Sequence, residues 1–207
     1  DKIQPLERLA EVIKPMRSSG KTLVHCHGVF DLLHIGHIRH FEKAKKMGDI
    51  LVVTVTADEH VNKGPGRPVF HEDLRAEAIA ALDCVDHVSI NRQALAVEPI
   101  KLLKPNFYVK GSDYQDPELD RTGGITIEEA AVNSVGGQVA FTDDITFSSS
   151  SLINRNLELL PREVSNYLAG LSDRYSSSDI LRYLEDSRSL KVLLVGETII
   201  DEYVYCE

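Results

Sequence analysis

Apolar runs of two kinds alternate along most of the chain. Continuous or β-branched runs favour strands, whereas apolar residues that recur every three or four positions favour helices. The predicted strands are Thr22–Cys26, Ile50–Val55, Val85–Ile90, Phe107–Val109 and Gln138–Phe141. The predicted helices are Ile38–Ala44, Glu72–Leu82, Val97–Leu103, Ile127–Val135 and Leu152–Leu159. A glycine after the first of these helices, Gly48, is expected to cap its end.

Strands and helices follow one another at short spacing. This order predicts an α/β fold: a Rossmann-like, doubly wound parallel sheet with right-handed crossovers. The continuous apolar run Ile50–Val55 supports the prediction, because a strand covered by helices on both faces shows no polar alternation. Ligands of such sheets bind at the carboxyl ends of the strands. The loops after Cys26, Val55, Val109 and Phe141 are therefore the expected location of a site.

The pattern changes after residue 157. Pro161–Asp186 predicts one or two helices interrupted near Ser176–Ser178, and Lys191–Val195 predicts a new buried strand that leads to Gly196. Residues 157–207 contain ten acidic and five basic side chains, so they carry −5 of the net charge of −9. We expect one α/β domain over residues 21–157, a C-terminal helical connector over 158–190 and the start of another domain over 191–207. The chain is then expected to be a fragment of a longer protein.

Composition excludes several classes of protein. The 207 residues are 43% hydrophobic and 27% charged, which is typical of a globular protein. A net charge of −9 speaks against a general nucleic-acid-binding protein, which needs a basic surface to displace phosphate counterions. No apolar run approaches the roughly 18 residues of a membrane span. The cysteines Cys26, Cys84 and Cys206 form no C-x-x-C pair, which predicts a reduced, cytoplasmic setting.

The segment from His27 to His37 carries the strongest chemical signal. It runs His-Gly-Val-Phe-Asp-Leu-Leu-His-Ile-Gly-His, so a strand leads through a glycine turn into a helix. Backbone N–H groups at a helix start attract phosphate, and His34 and His37 lie on the same side of that first turn. Gly36 between them lets a phosphate approach the backbone. The pair is suited to donate hydrogen bonds to phosphoryl oxygens as charge develops.

Five histidines between His25 and His40 raise the question of a metal site. The segment has no H-E-x-x-H motif, and no cysteine or carboxylate stands at zinc-ligand spacing. We therefore predict no metal site built by the protein.

Two further segments fit phosphate chemistry. The loop from Lys63 to Arg67 reads Lys-Gly-Pro-Gly-Arg and is suited to screening a triphosphate in an acidic protein. The serine run Ser148–Ser150 stands between a predicted strand and a predicted helix, where hydroxyls cap the helix and meet phosphate.

These motifs together resemble a known family. The segment from Gly28 to Asp58 resembles the cytidylyltransferase-type nucleotidyltransferases, whose signature is G-x-F-D-x-x-H-x-G-H. Within that superfamily, Lys63–Val69, Val109–Tyr114 and residues 135–155 resemble the heptose 1-phosphate adenylyltransferase domain of ADP-heptose synthesis. The resemblance covers about residues 21–157. Its first motif is specific for the superfamily, and the later ones are moderately specific for the branch.

The resemblance implies an activity and catalytic residues. Such enzymes join an NTP to a phosphorylated small molecule and release pyrophosphate, with Mg²⁺ as the cofactor. His34 and His37 would hold the triphosphate and stabilise the transition state, while Lys63 and Arg67 would reach phosphates from a mobile loop.

It also implies a wider set of nucleotide-binding residues. Phe30 and Asp31 would shape the phosphate turn, Arg75 would support the site, and Gly111 and Asp113 would line the nucleoside pocket. The full set is Gly28, Val29, Phe30, Asp31, Gly36, Arg67, Arg75, Gly111, Asp113, Ser148, Ser149 and Ser150.

The tail adds a second resemblance. Lys191–Asp201 resembles the opening strand of ribokinase-like sugar kinases, which implies that the native chain continues into a sugar kinase domain. Members of the nucleotidyltransferase superfamily often dimerise, which leaves a homodimer open.

We therefore expect a nucleotidyltransferase that joins ATP or CTP to a sugar 1-phosphate of heptose type, giving a nucleotide-sugar and pyrophosphate. Val29 stands where relatives often have Thr or Cys, and Arg121–Ile125 resembles a motif of cytidylyltransferases that act on small phosphates. Two alternatives stay open: a glycerol-, polyol- or ethanolamine-phosphate cytidylyltransferase, and a nucleotide-binding module without turnover.

Overall fold

The computed structural model describes residues 2–64, 66–111, 124–142, 161–191 and 196. The chain divides into two compact units, Asp1–Leu159 and Leu160–Glu207. The elements of the first unit are α1 (Leu6–Ser18), β1 (Leu23–Gly28), α2 (Ile35–Lys45), β2 (Ile50–Thr56), a 3-10 turn (Asp58–His60), α3 (Glu72–Ala80), β3 (His87–Asn91), α4 (Val97–Leu103), β4 (Phe107–Gly111), α5 (Gly124–Ser134) and β5 (Gln138–Thr142).

The five strands form one parallel sheet in the order β3-β2-β1-β4-β5. The central strand β1 pairs with β2 on one side and β4 on the other, so that Cys26 lies beside Val53 and Val109. The chain builds one half of the sheet through α2 and α3 and then crosses to the other side of β1 through α4. The sheet confirms the predicted Rossmann-like α/β fold.

Helices cover both faces of the sheet, which explains why β2 is buried along its whole length. On one face α2 and α3 pack against the strands, and on the other face α1, α4 and α5 do so. The core of the first face comprises Val24, Cys26, Phe41, Ala44, Leu51, Val53, Val55, Ala76, Ile79, Val85, Val88 and Val109. The core of the second comprises Leu6, Leu9, Ile13, Leu23, Ile50, Val52 and Leu103, with Ala96, Ile100, Tyr108, Ala131 and Val132 beside it.

The helix α1 was not among the predicted elements. Leu6, Leu9 and Ile13 are buried against the sheet, and their i, i+3, i+7 spacing is the signal that the sequence carried. The residues before α1 cover an edge of the sheet. The Gln4 N–H donates to the Val88 carbonyl oxygen at 3.0 Å, so this segment occupies backbone groups that edge strand β3 would otherwise expose.

Gly48 has a different role from the predicted helix cap. Helix α2 ends at Lys45 and its C-cap is Lys46. A Cβ on Gly48 would lie 2.7 Å from Val24 Cγ2 and 2.8 Å from the Thr22 carbonyl oxygen. Glycine is needed there because the chain passes close to β1 on its way into β2.

The second unit, taken by itself, contains α6 (Arg162–Ser172) and α7 (Ser177–Ser187). The break between them agrees with the predicted interruption. Ser176 caps α7: its hydroxyl accepts the Asp179 N–H, and the Asp179 carboxylate accepts the Ser176 N–H. The predicted helix Leu152–Leu159 and residues 192–195 of the predicted strand lie outside the described residues.

Candidate active site

The turn after β1 is held by an aromatic ring. Phe30 has a left-handed backbone with φ of 49°. The Phe30 ring meets the rings of His37 and Phe41 edge-on, with centroids 5.3 Å and 5.0 Å away. A Cβ on Gly28 would lie 3.0 Å from the tip of the Phe30 ring. Gly28 therefore leaves the space in which Phe30 packs and supports the His37 imidazole.

Asp31 ties this turn to the loop before α3. Its Oδ1 accepts the backbone N–H groups of Val69 at 2.7 Å and Phe70 at 3.1 Å. Its Oδ2 lies 3.3 Å from Arg67 Nη1, and the two side chains are only 1% and 2% exposed. The resemblance implied that Arg67 reaches phosphates, whereas in this structure its guanidinium lies against Asp31.

Arg75 is buried and holds several parts of the site together; we call Arg75 and its partner Asp58 the clamp. Its Nε donates to the Phe70 carbonyl oxygen at 2.9 Å, and its Nη1 donates to the Val29 carbonyl oxygen. Its Nη2 donates to the Thr56 carbonyl oxygen at 2.8 Å and to Asp58 Oδ1 at 2.6 Å. One guanidinium thus connects the carboxyl ends of β1 and β2 to the loop before α3. That loop contains Val69 and Phe70, whose N–H groups bind Asp31. That Arg75 supports a nucleotide site stays a prediction.

Asp58, which the sequence analysis did not single out, completes the clamp. Besides Arg75, it accepts hydrogen bonds from His71 Nδ1 at 3.0 Å and from the Glu72 N–H at 3.3 Å. Desolvation alone would raise the pKa of Asp58, but the bonds from Arg75, His71 and Glu72 hold it below its ordinary value. An acid that directly follows a buried strand was the available sequence signal.

His34 and His37 stand together at the start of α2. Their rings are stacked, with centroids 3.9 Å apart and planes at 20°. His34 is the N-cap of α2, and its Nδ1 accepts the Gly36 N–H at 3.1 Å, so the proton of the neutral ring stands on Nε2. His34 Nε2 and His37 Nδ1 are buried and have no hydrogen-bond partner among the described residues. Unpaired polar atoms at a helix start indicate a place for an anion.

Both imidazoles are neutral near pH 7. Desolvation lowers the pKa of His34 below its ordinary value. Desolvation, followed by the nearby His34, His40 and Lys63, lowers the pKa of His37 to about 3, and a hydrogen bond to the Leu32 backbone opposes this. An incoming polyphosphate would reverse this balance because it brings negative charge.

Lys63 lies on the exposed loop after β2. Desolvation by neighbouring groups lowers the pKa of Lys63, the cations Arg67 and Arg75 lower it further, and Asp31 opposes them. The same lysine lowers the pKa of His37, so its ammonium acts on that imidazole. The loop therefore brings positive charge to the carboxyl ends of β1 and β2.

A chain of polar side chains runs along the other face of the sheet, where apolar residues are the rule. The Thr54 hydroxyl lies 2.8 Å from His25 Nε2 and 2.9 Å from His27 Nδ1, and Thr56 Oγ1 lies 3.3 Å from His27 Nε2. The sequence analysis did not place this chain, although the run of histidines from His25 onward was its signal.

The hydrogen-bond partners determine which ring nitrogens carry the protons in this row of polar side chains. His27 Nδ1 lies 3.1 Å from the Thr54 carbonyl oxygen, which only accepts, so Nδ1 carries the proton. The Thr54 hydroxyl then donates to His25 Nε2. Desolvation lowers the pKa of His25 and of His27 to about 3. Both rings are therefore neutral across the physiological range.

A buried acid from α5 completes this face. Glu128 Oε2 accepts hydrogen bonds from the Tyr108 hydroxyl and from Lys110 Nζ, each at 2.8 Å. Glu128 Oε1 accepts the Ala96 N–H at 3.0 Å. Glu128 thus joins α5 to β4 and to the start of α4.

The structure brings most of the expected residues to one edge of the sheet. Contacts connect Gly28, Phe30 and His37, and a second set connects Val29, Asp31, Arg67 and Arg75. Gly36 lies in the first turn of α2, Lys63 lies on its loop, and Gly111 ends β4. Asp113, Ser148, Ser149 and Ser150 lie outside the described residues.

The described residues contain neither a metal-binding cluster nor a membrane-spanning helix. No group of three or more His, Cys, Asp or Glu side chains there is arranged to hold a metal ion. None of the helices there is long and apolar enough to cross a membrane.

Comparison with known proteins identifies the family. The cytidylyltransferase-like family matches residues 25–182. This chain belongs to the cytidylyltransferase-like family. The match confirms the predicted family and the nucleotidyltransferase class, and it contains the whole His34–His37 motif.

Curated relatives of this cytidylyltransferase-like chain carry the name bifunctional protein HldE. The proteins from Syntrophotalea carbinolica and Trichlorobacter lovleyi are each 38% identical over 160 residues, or 76% of this chain and 31% of theirs. The protein from Geobacter metallireducens is 38% identical over 168 residues, or 78% of this chain and 32% of its own. The chain thus spans about a third of the length of these relatives.

Solved structures agree on the fold. The lipopolysaccharide core biosynthesis protein from Thermoplasma volcanium has a TM-score of 0.50 and 29% identity, covering 62% of this chain and all of its own. Pantoate-beta-alanine ligase from Francisella tularensis has a TM-score of 0.52 and 16% identity, covering 75% of this chain and 72% of its own. The second likeness concerns the fold alone.

Proposed function

We propose that the chain transfers a nucleotidyl group from ATP or CTP to a sugar 1-phosphate of heptose type and releases pyrophosphate. The observation that carries the proposal is the stacked pair His34 and His37, whose buried nitrogens lack partners at the start of α2. A site built to satisfy its own hydrogen bonds would not leave two such atoms unpaired.

The proposed reaction needs positioning and charge stabilisation. A phosphate oxygen of the acceptor attacks the α-phosphorus, the bond to the bridging oxygen of the β-phosphate breaks, and the electron pair leaves with pyrophosphate. The acceptor phosphate is already ionised, so the step needs no general base.

We assign a separate role in this reaction to each residue of the site. His34 Nε2–H donates to a phosphoryl oxygen. Negative charge beside His37 favours its protonated form, so both rings donate as charge develops. Lys63 adds a cation from its loop, and Arg75 with Asp31 holds the turn that positions the histidines.

Mg²⁺ is proposed to enter with the nucleotide. The carboxylates of Asp31 and Asp58 are occupied by arginines and backbone N–H groups. The described residues therefore fit a metal ion held through triphosphate oxygens better than one held by a protein ligand set. The ion would neutralise phosphate charge when bound.

The heptose-type acceptor is supported by the relatives named bifunctional protein HldE and by the neighbour named as a lipopolysaccharide core biosynthesis protein. A sugar kinase after residue 190, a homodimer and a cytoplasmic location stay predictions.

A product screen tests the proposal. The chain is incubated with each of ATP, CTP, GTP and UTP, crossed with a panel of sugar 1-phosphates, polyol phosphates and ethanolamine phosphate. Mass spectrometry of the products and a pyrophosphate assay give the readout. We expect a nucleotide-sugar from ATP or CTP with pyrophosphate in equal amount. A cytidylyl-polyol or cytidylyl-ethanolamine product would replace the sugar assignment. Tight NTP binding by calorimetry without pyrophosphate release from any pair would indicate a nucleotide-binding module.

A further inference from the structure

The winding of the sheet reverses between β1 and β4. From β1 the chain continues into α2, which packs on the face that contains Val24 and Cys26. It enters β4 from α4, which packs on the face that contains Tyr108. In doubly wound sheets, ligands bind beside the carboxyl ends of the strands at this reversal point.

Lys110 lies at this point, one residue before β4 ends. His25 pairs with Tyr108 and Cys26 with Val109, and Lys110 is the next residue of β4. Side chains alternate along a strand, which puts Lys110 on the Tyr108 face. Its Nζ lies 5.2 Å from the centroid of the Tyr108 ring. The ammonium therefore lies over the Tyr108 ring, while its backbone stands near the carboxyl end of β4.

Glu128 holds this cation in one place. The side chains of Lys110 and Glu128 are only 9% and 4% exposed, and their charged atoms are 2.8 Å apart. The Tyr108 hydroxyl and the Ala96 N–H bind the same carboxylate, so Glu128 has little freedom to move. A buried ion pair is weak evidence for stability, because desolvation offsets its attraction. Its position at the carboxyl edge indicates a role in the site.

The side of the sheet on which Lys110 lies distinguishes it from the other cation and the histidine pair. His34 and His37 stand at the start of α2, which packs on the opposite face of the sheet, and Lys63 lowers the pKa of His37. In an in-line displacement the attacking and leaving oxygens lie on opposite sides of the α-phosphorus. Groups that hold the leaving pyrophosphate and groups that hold the attacking phosphate must then come from different sides of the site.

We propose that Lys110 binds the phosphate of the acceptor, with Glu128 as its positioning residue. The inference rests on the proposed nucleotidyl transfer and adds which residue recognises the second substrate. The ligand class is a phosphomonoester, and the acceptor found by the product screen is the probe.

Three variants test the assignment: Lys110→Met, Glu128→Gln and the double variant with both changes. Lys110→Met leaves the Glu128 charge buried without its cation, whereas the double variant restores a neutral pair of similar shape. Lys14→Met, an exposed position on α1, is the matched control. Steady-state kinetics give KM for each substrate, calorimetry gives the Kd of the NTP, and circular dichroism monitors folding.

We expect both variants that lack the lysine to raise the acceptor KM by about 10- to 100-fold, the range for a lost hydrogen bond to a charged group. The NTP Kd stays within about twofold of that of the parent chain, and Lys14→Met changes neither value. A double variant that regains the parent acceptor KM would show that Lys110 is structural. An equal rise in both substrates' KM would place Lys110 on the NTP.

The experiments distinguish a failure of the Lys110 proposal from a failure of the proposed nucleotidyl transfer. Product formation with an unchanged acceptor KM in the double variant overturns the role of Lys110 and leaves the activity standing. If the screen finds no acceptor, inorganic phosphate becomes the calorimetric probe. Phosphate binding that is lost in the double variant then supports Lys110 without the proposed activity, and binding that is unchanged overturns it.

Discussion

The imidazole rings of His34 and His37 stack at 3.9 Å, and each ring keeps one buried nitrogen without a partner in the described part of the chain. Desolvation lowers the pKa of both rings, so neither is charged near neutral pH. Two cationic rings at this distance would repel each other. A bound polyphosphate would supply both the missing partners and the opposite charge, which is what the proposed function requires of the pair.

Replacing either ring with alanine should reduce turnover while the fold survives. We expect His34→Ala and His37→Ala to lower kcat by about 10²- to 10³-fold, the loss typical of a removed transition-state donor. Pyrophosphate release gives kcat, and circular dichroism checks the fold.

His60→Ala is a suitable control for these variants. Among the described residues, the His60 ring bonds only to a loop carbonyl oxygen, that of Arg92, apart from a long contact with Glu59. The kcat of His60→Ala should equal that of the parent chain. Unchanged turnover in both His34→Ala and His37→Ala would refute the catalytic role of the pair.

Acid should destabilise the protein through His25 and His27. In the native state the pKa of each is about 3, against 6.5 for an unperturbed histidine. Between these values the unfolded state binds more protons, so the free energy of unfolding rises with pH. The stabilisation is complete above pH 6.5 and declines as the pH falls toward 3, by up to about 1.4 kcal/mol per pH unit for each ring.

Urea denaturation at several pH values measures this slope. A His25→Gln variant has one fewer titrating ring, and its free energy of unfolding should fall less steeply between pH 6.5 and 4. Parallel slopes for the two proteins would show that folding does not lower the pKa of His25.

Local sequence patterns predicted the strands, most helices and the histidine pair because these depend on short-range spacing. The buried run of β2 and the Gly28–His37 segment are examples. The hydrogen bonds that organise the site join residues far apart in sequence. Arg75 reaches Val29 across 46 positions, and His40 reaches the Thr142 hydroxyl across 102. Such partners follow from the order of the strands, which periodicity does not determine.

Individual side-chain contacts could not be predicted for the same reason. The sequence showed that Arg67 is a cation on a glycine-rich loop, and only the fold shows that Asp31 lies beside it. Thr54 fits a strand pattern well, yet its hydroxyl joins two histidines of the neighbouring strand. Side-chain partners across a sheet depend on register, and register emerges only when the sheet is assembled.

Loss of Arg75 should be costly for stability. Arg75→Met leaves Asp58 without its buried cation and leaves the carbonyl oxygens of Phe70, Val29 and Thr56 without this donor. We expect the free energy of unfolding to fall by about 3–5 kcal/mol, as for other broken buried pairs. Urea denaturation gives this value.

Arg92→Met is the matched control for the clamp. Arg92 pairs with Glu72 at 3.0 Å, but its side chain is 67% exposed, so we expect a loss of at most about 1 kcal/mol. Similar losses in Arg75→Met and Arg92→Met would contradict the clamp.

Gly28→Ala tests whether the turn after β1 positions His37, which we propose to be catalytic. The added Cβ would lie 3.0 to 3.3 Å from three ring atoms of Phe30, whose backbone is already left-handed. The ring must therefore shift, and because it meets His37 edge-on, the imidazole loses its support. We expect a roughly tenfold lower kcat, since small displacements of catalytic groups are costly. Overpacking should reduce the free energy of unfolding by about 1–3 kcal/mol.

Gly170→Ala is the control for this variant. It adds the same methyl group where no atom lies within 4 Å, and its kcat should be unchanged. A stability loss in Gly28→Ala with full kcat would mean that Phe30 packs the core without positioning His37.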